Sequence, residues 1–530
     1  MKVLITDKIN ESAGKILDGV AEVDFLPTKT EDELCEIIGE YDALMVRSQT
    51  KVTAKIIEAG KNLKIIGRAG VGVDNIDIEA ATQKGILVVN SPDGNTNAAA
   101  EHTIALMLAM SRNIPVAATS TKAKNWERSK FTGVEVFGKT LGVIGFGKIG
   151  SHVAQVALAL GMKVVVSDPY TSQQTVEKTG AKYVNSLDEL WGICDYITVH
   201  VPKTRETMHL INKDTIAKMK KGVRLINCAR GGIIDEADLK EALESGQVAG
   251  AAIDVYENEP DMTKCVLCDC DKNVVLTPHL GASTKEAQLN VAIDVAEQLR
   301  DVLSGGSAKA AVNIPALKPA VLEPVKPYMA IAENVGAMAF QIANGNLKSI
   351  NLTVEGKLAD LDISPITIAV LKGVFSSIDE GVNYVNAPVI AKKRGINVVT
   401  SKSHNECTYQ GIVTVKLLTD QDEICVSGAL IADGMPRITE INEHKMCIEP
   451  EEHMIVLPHE NKPSMIAKVA TVIGSNNVNI SKMHVADNNG TNDPLSIMIL
   501  STDTKVDNET LKAISEIDGI KDAKYIHLSA

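Results

Sequence analysis

Three side chains spread over fifty residues have types and neighbourhoods that suit one piece of chemistry: Arg230 in NCARGG, Glu259 in DVYENEP and His279 in LTPHLGAST. An imidazole, with an unperturbed pKa of about 6.5, takes up and returns a proton near neutral pH. Glu259 precedes His279 by 279 − 259 = 20 residues, and a carboxylate bonded to an imidazole fixes its tautomer and stabilises its charged form. The planar fork of an arginine grips a carboxylate at two points and polarises the carbonyl beside it. A proton carrier, its orienter and a carboxylate clamp are what the interconversion of a 2-hydroxy and a 2-oxo acid requires, provided a redox cofactor is at hand.

The run Gly145-Phe146-Gly147-Lys148-Ile149-Gly150 supplies the place for that cofactor. It follows the strand-like LGVI and opens the helical pattern SHVAQVALALG. In that setting the glycines serve a tight turn, close approach to a pyrophosphate and helix packing. The next strand pattern, KVVVSD, ends in Asp168, 168 − 150 = 18 residues beyond the last glycine. A carboxylate there accepts both ribose hydroxyls and repels a 2′-phosphate, so NAD is expected rather than NADP. Cys228, Ala229 and Asp254, beside the triad segments, are expected at the cofactor too.

The elements that must hold these residues are legible as alternation. From Met1 to about Pro92, β-branched runs such as KVLITD, ALMVRS and LKIIGRAG alternate with helical patterns such as TEDELCEIIGEY. After a helical stretch at Asn97–Ser111 a second series runs through KTLGVIG, KVVVSD, YITVHV, VRLINCAR, GAAIDVY and NVVLTP. Strands alternating with helices imply parallel sheets with right-handed crossovers. The fold class expected is therefore α/β, with two doubly wound parallel-sheet domains, then an α+β domain and a small ferredoxin-like domain. The expected boundaries are 1–93 with 283–312 for substrate, 94–282 for NAD, 313–450 for the third unit and 451–530 for the last. Four prolines between Pro315 and Pro327 read as a linker. Residues from about His453 onward read strand, helix, strand, strand, helix, strand.

The segments NCARGGIIDEADLKEAL, GAAIDVYENEP and TPHLGAST, in this order after GFGKIG, closely resemble the D-isomer-specific 2-hydroxyacid dehydrogenases over about residues 1 to 312. The resemblance implies that Arg230, Glu259 and His279 are catalytic. Within the family, VRSQTKVT, GRAGVGVDNID and NSPDGNTNAAAEHT look most like the members acting on D-3-phosphoglycerate, the first step of serine biosynthesis. That likeness implies substrate contacts from Arg47, Gly70, Val71, Gly72 and Asn95, the amides of a glycine-rich turn making an anion-binding concavity. Many members of the family carry Thr or a similar small residue where this chain has Val71. The alternatives are another D-2-hydroxy acid, such as hydroxypyruvate or 2-oxoglutarate as the oxo partner, and a non-catalytic NADH-sensing scaffold.

The second half resembles the regulatory domains of the family's longest members. VNAPVIAKKRGI and GALIADGMPRITEIN are similar to an intervening domain associated with anion binding, which makes Lys392, Lys393, Arg394 and Arg437 candidate contacts. LPHENKPSMIAKVATVIGSNNVNISKMHVA resembles an ACT domain, implying that His459, Asn461 and Asn479 bind serine as an effector. Ser464 takes the place of the glycine usual after the proline. The segment KNWERSKF, with Trp126, Arg128 and Lys130, is expected at a dimer interface, within a homodimer or homotetramer.

Bulk properties narrow the partners. Lys and Arg number 54 against 67 Asp and Glu, a net charge of −13, which leaves no basic excess for a nucleic-acid backbone. The start, MKVLITDK, lacks a signal pattern, and no apolar run is long enough to span a bilayer, so no membrane partner and a cytoplasmic location are expected. Cys265, Cys268 and Cys270 cluster in KCVLCDCDKN without an identifiable fourth ligand. No metal is expected.

Overall fold

The computed structural model describes residues 1–314, 319–379, 381–405, 408–431, 434–487 and 494–528. Four sheets are present among them. The first contains β1 (Lys2–Ile5), β2 (Glu22–Phe25), β3 (Ala43–Val46), β4 (Ile65–Arg68) and β5 (Leu87–Asn90) in the order β2-β1-β3-β4-β5, all parallel. Its strands are short apolar runs because both faces are covered. One cover comes from far along the chain: helix Lys285–Leu303 presents Val291, Val295, Leu299 and Leu303 at a four-residue spacing to this sheet's core. A Cβ on Gly67 would stand 2.4 Å from Val295, so the bare backbone there lets this helix lie close on β4, whose last residue is Arg68.

The second sheet holds β6 (Thr140–Ile144), β7 (Lys163–Ser167), β8 (Lys182–Tyr183), β9 (Tyr196–Val199), β10 (Val223–Asn227), β11 (Val248–Ile253) and β12 (Val274–Leu276). The order β12-β11-β10-β9-β6-β7-β8 is again all parallel. The chain moves outward one way from β6 through β8 and then the other way from β9, so the switch point lies between β6 and β9. Ligands of such sheets bind outside the carboxyl ends of the strands at that crevice. Helix Thr96–Ser111 packs Ala100, Met107 and Met110 onto this sheet.

The third sheet joins β13 (Leu347–Gly356), β14 (Asn397–Ser403), β15 (Gly411–Thr419), β16 (Glu423–Leu430), β17 (Pro436–Ile441) and β18 (His444–Ile448) as β14-β13-β15-β16-β17-β18. Only the β13–β14 pair is parallel. Helices Pro319–Ile342 and Ser364–Ser376 share its core. The proline-rich stretch expected as a linker is thus corrected in part. From Pro319 onward it is the start of a 24-residue helix that contains Pro324 and Pro327; Pro315 lies outside the described residues. Packing of Val325, Ile331, Ala332 and Val335 in the core outweighs the lost N–H donors.

The last sheet, β19 (His453–His459), β20 (Ile480–Ala486), β21 (Ser496–Thr502) and β22 (Lys524–His527), is antiparallel in the order β20-β21-β19-β22. Helices Met465–Ser475 and Asn508–Ser515 complete the β-α-β-β-α-β plan read from the sequence. Residues of β19 alternate between two cores. Ile455 and Leu457 face the helices, whereas Met454 and Val456 join the core of the third unit. No described helix is long and apolar enough to cross a membrane.

Candidate active site

Arg230, Glu259 and His279 lie just past the carboxyl ends of the adjacent strands β10, β11 and β12. Parallel order brings them together despite their separation in sequence. Glu259 Oε2 stands 2.7 Å from His279 Nδ1, and Glu259 Oε1 accepts the Tyr256 N–H at 2.6 Å. One carboxylate therefore locks both the imidazole and its own loop. With Nδ1 bonded to the carboxylate, Nε2 is the nitrogen left to exchange a proton. The imidazole is half exposed, open to a small substrate.

His279 has φ of 54°, and the segment around it is held from behind by Asp254. That carboxylate accepts from Thr277 Oγ1 at 2.6 Å and from the N–H groups of Leu280 and Gly281 at 2.8 and 2.9 Å. His102 Nε2 lies 3.1 Å away. Asp254 is fully buried. Burial pushes its carboxyl up, but the bonds from His102, Thr277 and Leu280 outweigh this and hold it below the usual carboxylate range. Its main-chain carbonyl also accepts the His279 N–H at 2.9 Å. Asp254, expected at the cofactor, thus also braces the 277–281 loop.

Arg230 reaches across to the first domain. Its Nε donates to Asp74 at 3.1 Å, and its Nη1 donates to the Ala229 carbonyl at 2.7 Å. A Cβ on Gly72 would lie 1.9 Å from Arg230 Nη2, and one on Gly70 would lie 1.9 Å from Arg68 Nη1. Both glycines are bare because a guanidinium lies on each. The Val71 carbonyl between them accepts from Asn90 Nδ2 at 2.5 Å, which secures the turn to β5.

Arg68 was not among the residues singled out in the sequence. Its Nε is buried without a hydrogen-bond partner. Burial, with repulsion from Arg230 and Arg47, pushes its pKa down to about 10. Asp74 and Asp7 offset this only in part, and a guanidinium with a buried unpaired Nε beside two other cations favours an anion. The available signal was position: Arg68 ends β4 before the Gly70–Gly72 turn, as Arg230 follows β10. Asn95 Oδ1 is likewise buried and unpaired, at the start of helix Thr96–Ser111. The Arg47 N–H donates to Asp7 Oδ2 at 2.8 Å.

The residues of the glycine loop fit a dinucleotide. Gly145 (φ 92°) follows β6 at the switch point, where a Cβ would meet the His200 carbonyl oxygen at 2.5 Å. A Cβ on Gly150 would meet Gly145 O at 2.1 Å, whereas one on Gly147 would meet nothing within 4 Å. Gly147 thus borders open space at the start of helix Lys148–Ala159, whose first N–H groups have no side-chain cap; that is an anion site in waiting. Asp168 accepts the N–H groups of Phe146 and Tyr170 at 2.6 and 2.7 Å, leaving each oxygen a lone pair for a ribose hydroxyl. Lys148 pairs with Asp93 of the first domain, Ile149 packs on the second-sheet core, and burial pushes the Cys228 thiol up to about 12. The Ala229 N–H donates to Asn227 Oδ1 at 3.0 Å.

The residues expected at the effector lie in the last unit, on β19 and in the loops around its first helix. His459 Nδ1 lies 3.0 Å from the Glu460 carbonyl, and its Nε2 is buried and unpaired. Asn479 donates to Asp503 at 2.7 Å, and Asn461 is exposed on the loop after β19. Ser464 occupies the left-handed region at φ 71°, the conformation in which the expected glycine is at no disadvantage. In the third unit, Lys393 donates to Gln83 of the first domain at 2.9 Å and Arg437 donates to the Pro436 carbonyl. Cys265 is buried in the second-sheet core and Cys268 is exposed, joined by short 3₁₀ turns between β11 and β12.

Comparison with known proteins agrees with this geometry. Residues 104–281 match the D-isomer specific 2-hydroxyacid dehydrogenase NAD binding domain, and residues 324–442 match the D-3-phosphoglycerate dehydrogenase intervening domain. A Synechocystis protein named D-3-phosphoglycerate dehydrogenase is 48% identical over 99% of this chain and 95% of its own length. One of the same name from Methanocaldococcus jannaschii is 43% identical over 100% of both. Among solved structures, D-lactate dehydrogenase from Aquifex aeolicus, complexed with NAD and lactic acid, superposes with a TM-score of 0.51 at 31% identity, covering 57% of this chain and 96% of that one. Sheet order, loop, triad and full-length likeness converge: the chain belongs to the NAD-dependent D-3-phosphoglycerate dehydrogenase family, in the long form that carries an intervening domain.

Proposed function

We propose that the chain oxidises D-3-phosphoglycerate to 3-phosphohydroxypyruvate, opening serine biosynthesis. The observation that carries the substrate choice is Arg68, a cation with a buried, unpaired Nε beside Arg230 and Arg47. A carboxylate alone occupies one fork, whereas a substrate with a phosphate at its other end uses the additional positive charge. Arg230 and the amides of Gly70, Val71 and Gly72 hold the carboxylate; Arg68 and Arg47 face the phosphate. His279 Nε2 takes the proton of the C2 hydroxyl, and Glu259 steadies the resulting imidazolium through its 2.7 Å contact. NAD, when bound, accepts the electron pair and hydrogen leaving C2.

We read the chain as segmented into 1–93 with 283–312, 94–282, 313–450 and 451–530, which the presence of one sheet in each unit supports, and the last unit as an ACT domain binding serine. The buried unpaired Nε2 of His459 supports an effector there. Trp126 and Phe137 are 88% and 75% exposed, with Ile114 and Val116 more than half exposed. Exposed apolar side chains of this size between residues 114 and 137 support a homodimer through the NAD domain, with further pairing to a tetramer. A cytoplasmic location fits the absence of a long apolar helix among the described residues.

The test is NADH formation with D-3-phosphoglycerate beside D-lactate and D-glycerate, using a phosphohydroxypyruvate trap, with and without millimolar serine. Faster turnover of an unphosphorylated acid would overturn the substrate assignment. Indifference to serine would remove the effector assignment alone.

A further inference from the structure

The last sheet brings two histidines face to face from opposite ends of its domain. In the antiparallel pair β19–β22, His453 is directly opposite His527, a position in which Cβ atoms lie roughly 5 Å apart. The two rings stack with centroids 5.7 Å apart. Glu452 precedes His453, and one potential ligand atom from each of Glu452, His453 and His527 lies within 4.8 Å of the other two.

Both imidazoles are already oriented through a single nitrogen. His453 Nδ1 lies 2.6 Å from the Tyr525 hydroxyl, and His527 Nδ1 lies 3.2 Å from the Glu452 carbonyl. A carbonyl only accepts, so His527 carries its proton on Nδ1 and keeps a lone pair on Nε2. The Tyr525 hydroxyl, which can donate or accept, holds His453 through Nδ1 as well, with His453 Nε2 facing Glu452 Oε1 at 3.7 Å. A hydrogen bond from one ring nitrogen, with the other left free, is the outer-shell arrangement of metal-binding histidines.

A second cluster, His209 with Asp235 and Glu257, shows the contrasting case. There Nδ1 approaches Asp235 at 3.3 Å and Nε2 approaches Glu257 at 3.2 Å. Both nitrogens are engaged by separate carboxylates, which leaves neither nitrogen free for an ion.

We propose that Glu452, His453 and His527 form a site for a divalent first-row transition ion of the zinc and cobalt class. Two imidazoles and one carboxylate suit this class, with water completing the shell. Ligand distances of about 2.0 to 2.2 Å would draw together three ligand atoms that already lie within 4.8 Å of one another. The ion would staple the edge strand β22 to β19. That strand is also tied to the third unit, since Gln341 accepts the His527 N–H at 2.8 Å and donates to the His527 carbonyl at 2.9 Å. The site therefore stands at the junction of the last two units.

The probe is Co²⁺ added to the full-length chain after chelator treatment, read by its visible d–d absorption and by displacement with Zn²⁺. One Co²⁺ per chain is expected, displaced by Zn²⁺. The signal should disappear in His453→Gln and His527→Gln, persist in His209→Asn, and weaken about tenfold in affinity in Tyr525→Phe. Turnover by the two glutamine variants, together with far-UV circular dichroism, reports that they fold. If either fails to fold, the Tyr525→Phe affinity decides. No band on the unmodified chain, a band surviving both glutamine variants, loss of the band in His209→Asn, or an unchanged affinity in Tyr525→Phe overturns the assignment.

Discussion

Glu259 divides its two oxygens between His279 Nδ1 at 2.7 Å and the Tyr256 N–H at 2.6 Å. The carboxylate is thus both a partner of the imidazole and the latch of its own loop. Glu259→Gln keeps an acceptor for Tyr256 but loses the charge facing the imidazolium. We expect kcat for D-3-phosphoglycerate oxidation to fall on the order of 10²-fold, within the range of acid–base catalysis, while NADH affinity measured by fluorescence stays within about twofold. His279→Ala should fall further and retain cofactor binding as well.

Arg68→Met removes the buried cation whose Nε has no partner. The expected outcome is a KM for D-3-phosphoglycerate raised about 10- to 100-fold, the worth of a charge-assisted bond, with a much smaller change for D-lactate. Equal losses on both substrates in steady-state assays would place Arg68 at the carboxylate instead of the phosphate.

Asp254 has its pKa lowered in the fold, so the sign of its linkage is set. Its stabilising contribution is present above the unfolded value of about 3.9 and is lost as pH falls through the lower folded value. Asp254→Asn should lower stability at pH 7 by about 3 kcal/mol, because the 277–281 loop loses a charged acceptor, and should flatten the acid limb. Denaturant midpoints measured between pH 3 and 7 check both.

Ser464 is the first-turn neighbour of the last domain's helix and sits at φ 71°. Ser464→Gly relieves a conformation that costs a side-chain-bearing residue about 1 kcal/mol. Thermal unfolding of the full chain should show the transition of the last domain rising, with turnover unaltered.

Asp168→Ala should relax the preference for NAD over NADP by about tenfold or more, since the carboxylate that repels a 2′-phosphate is gone. The ratio of kcat/KM values for the two cofactors is the measurement. Its bond to the Phe146 N–H predicts that NAD binding weakens too.

The triad and the glycine loop were legible because each sits at a strand end with its own local pattern. Parallel strands β10, β11 and β12 send such ends to one edge. Arg68 was not legible as a site residue, although its strand and the following glycine turn were, because the meaning of a strand-end arginine depends on whether a partner acid is near. Asp254 reads in sequence like any strand-end carboxylate; only its four surrounding donors show that it braces the loop. The helix from Pro319 misled because prolines signal a break locally, and the packing that overrides them is not local.

The sequence by itself determined the parallel α/β architecture, the NAD-binding domain and the β-α-β-β-α-β plan of the last domain, and it named the three side chains of the candidate triad. These follow from periodicity and from short-range motifs, in which neighbours along the chain are neighbours in space. Tertiary structure alone decided which cations are left without a partner and which strand edges meet. Arg68 lies beside Arg230, and His453 lies opposite His527, across 527 − 453 = 74 residues. Charge compensation and ligand geometry depend on distance in space, and the register of β22 on β19 fixes that distance where no spacing along the chain records it.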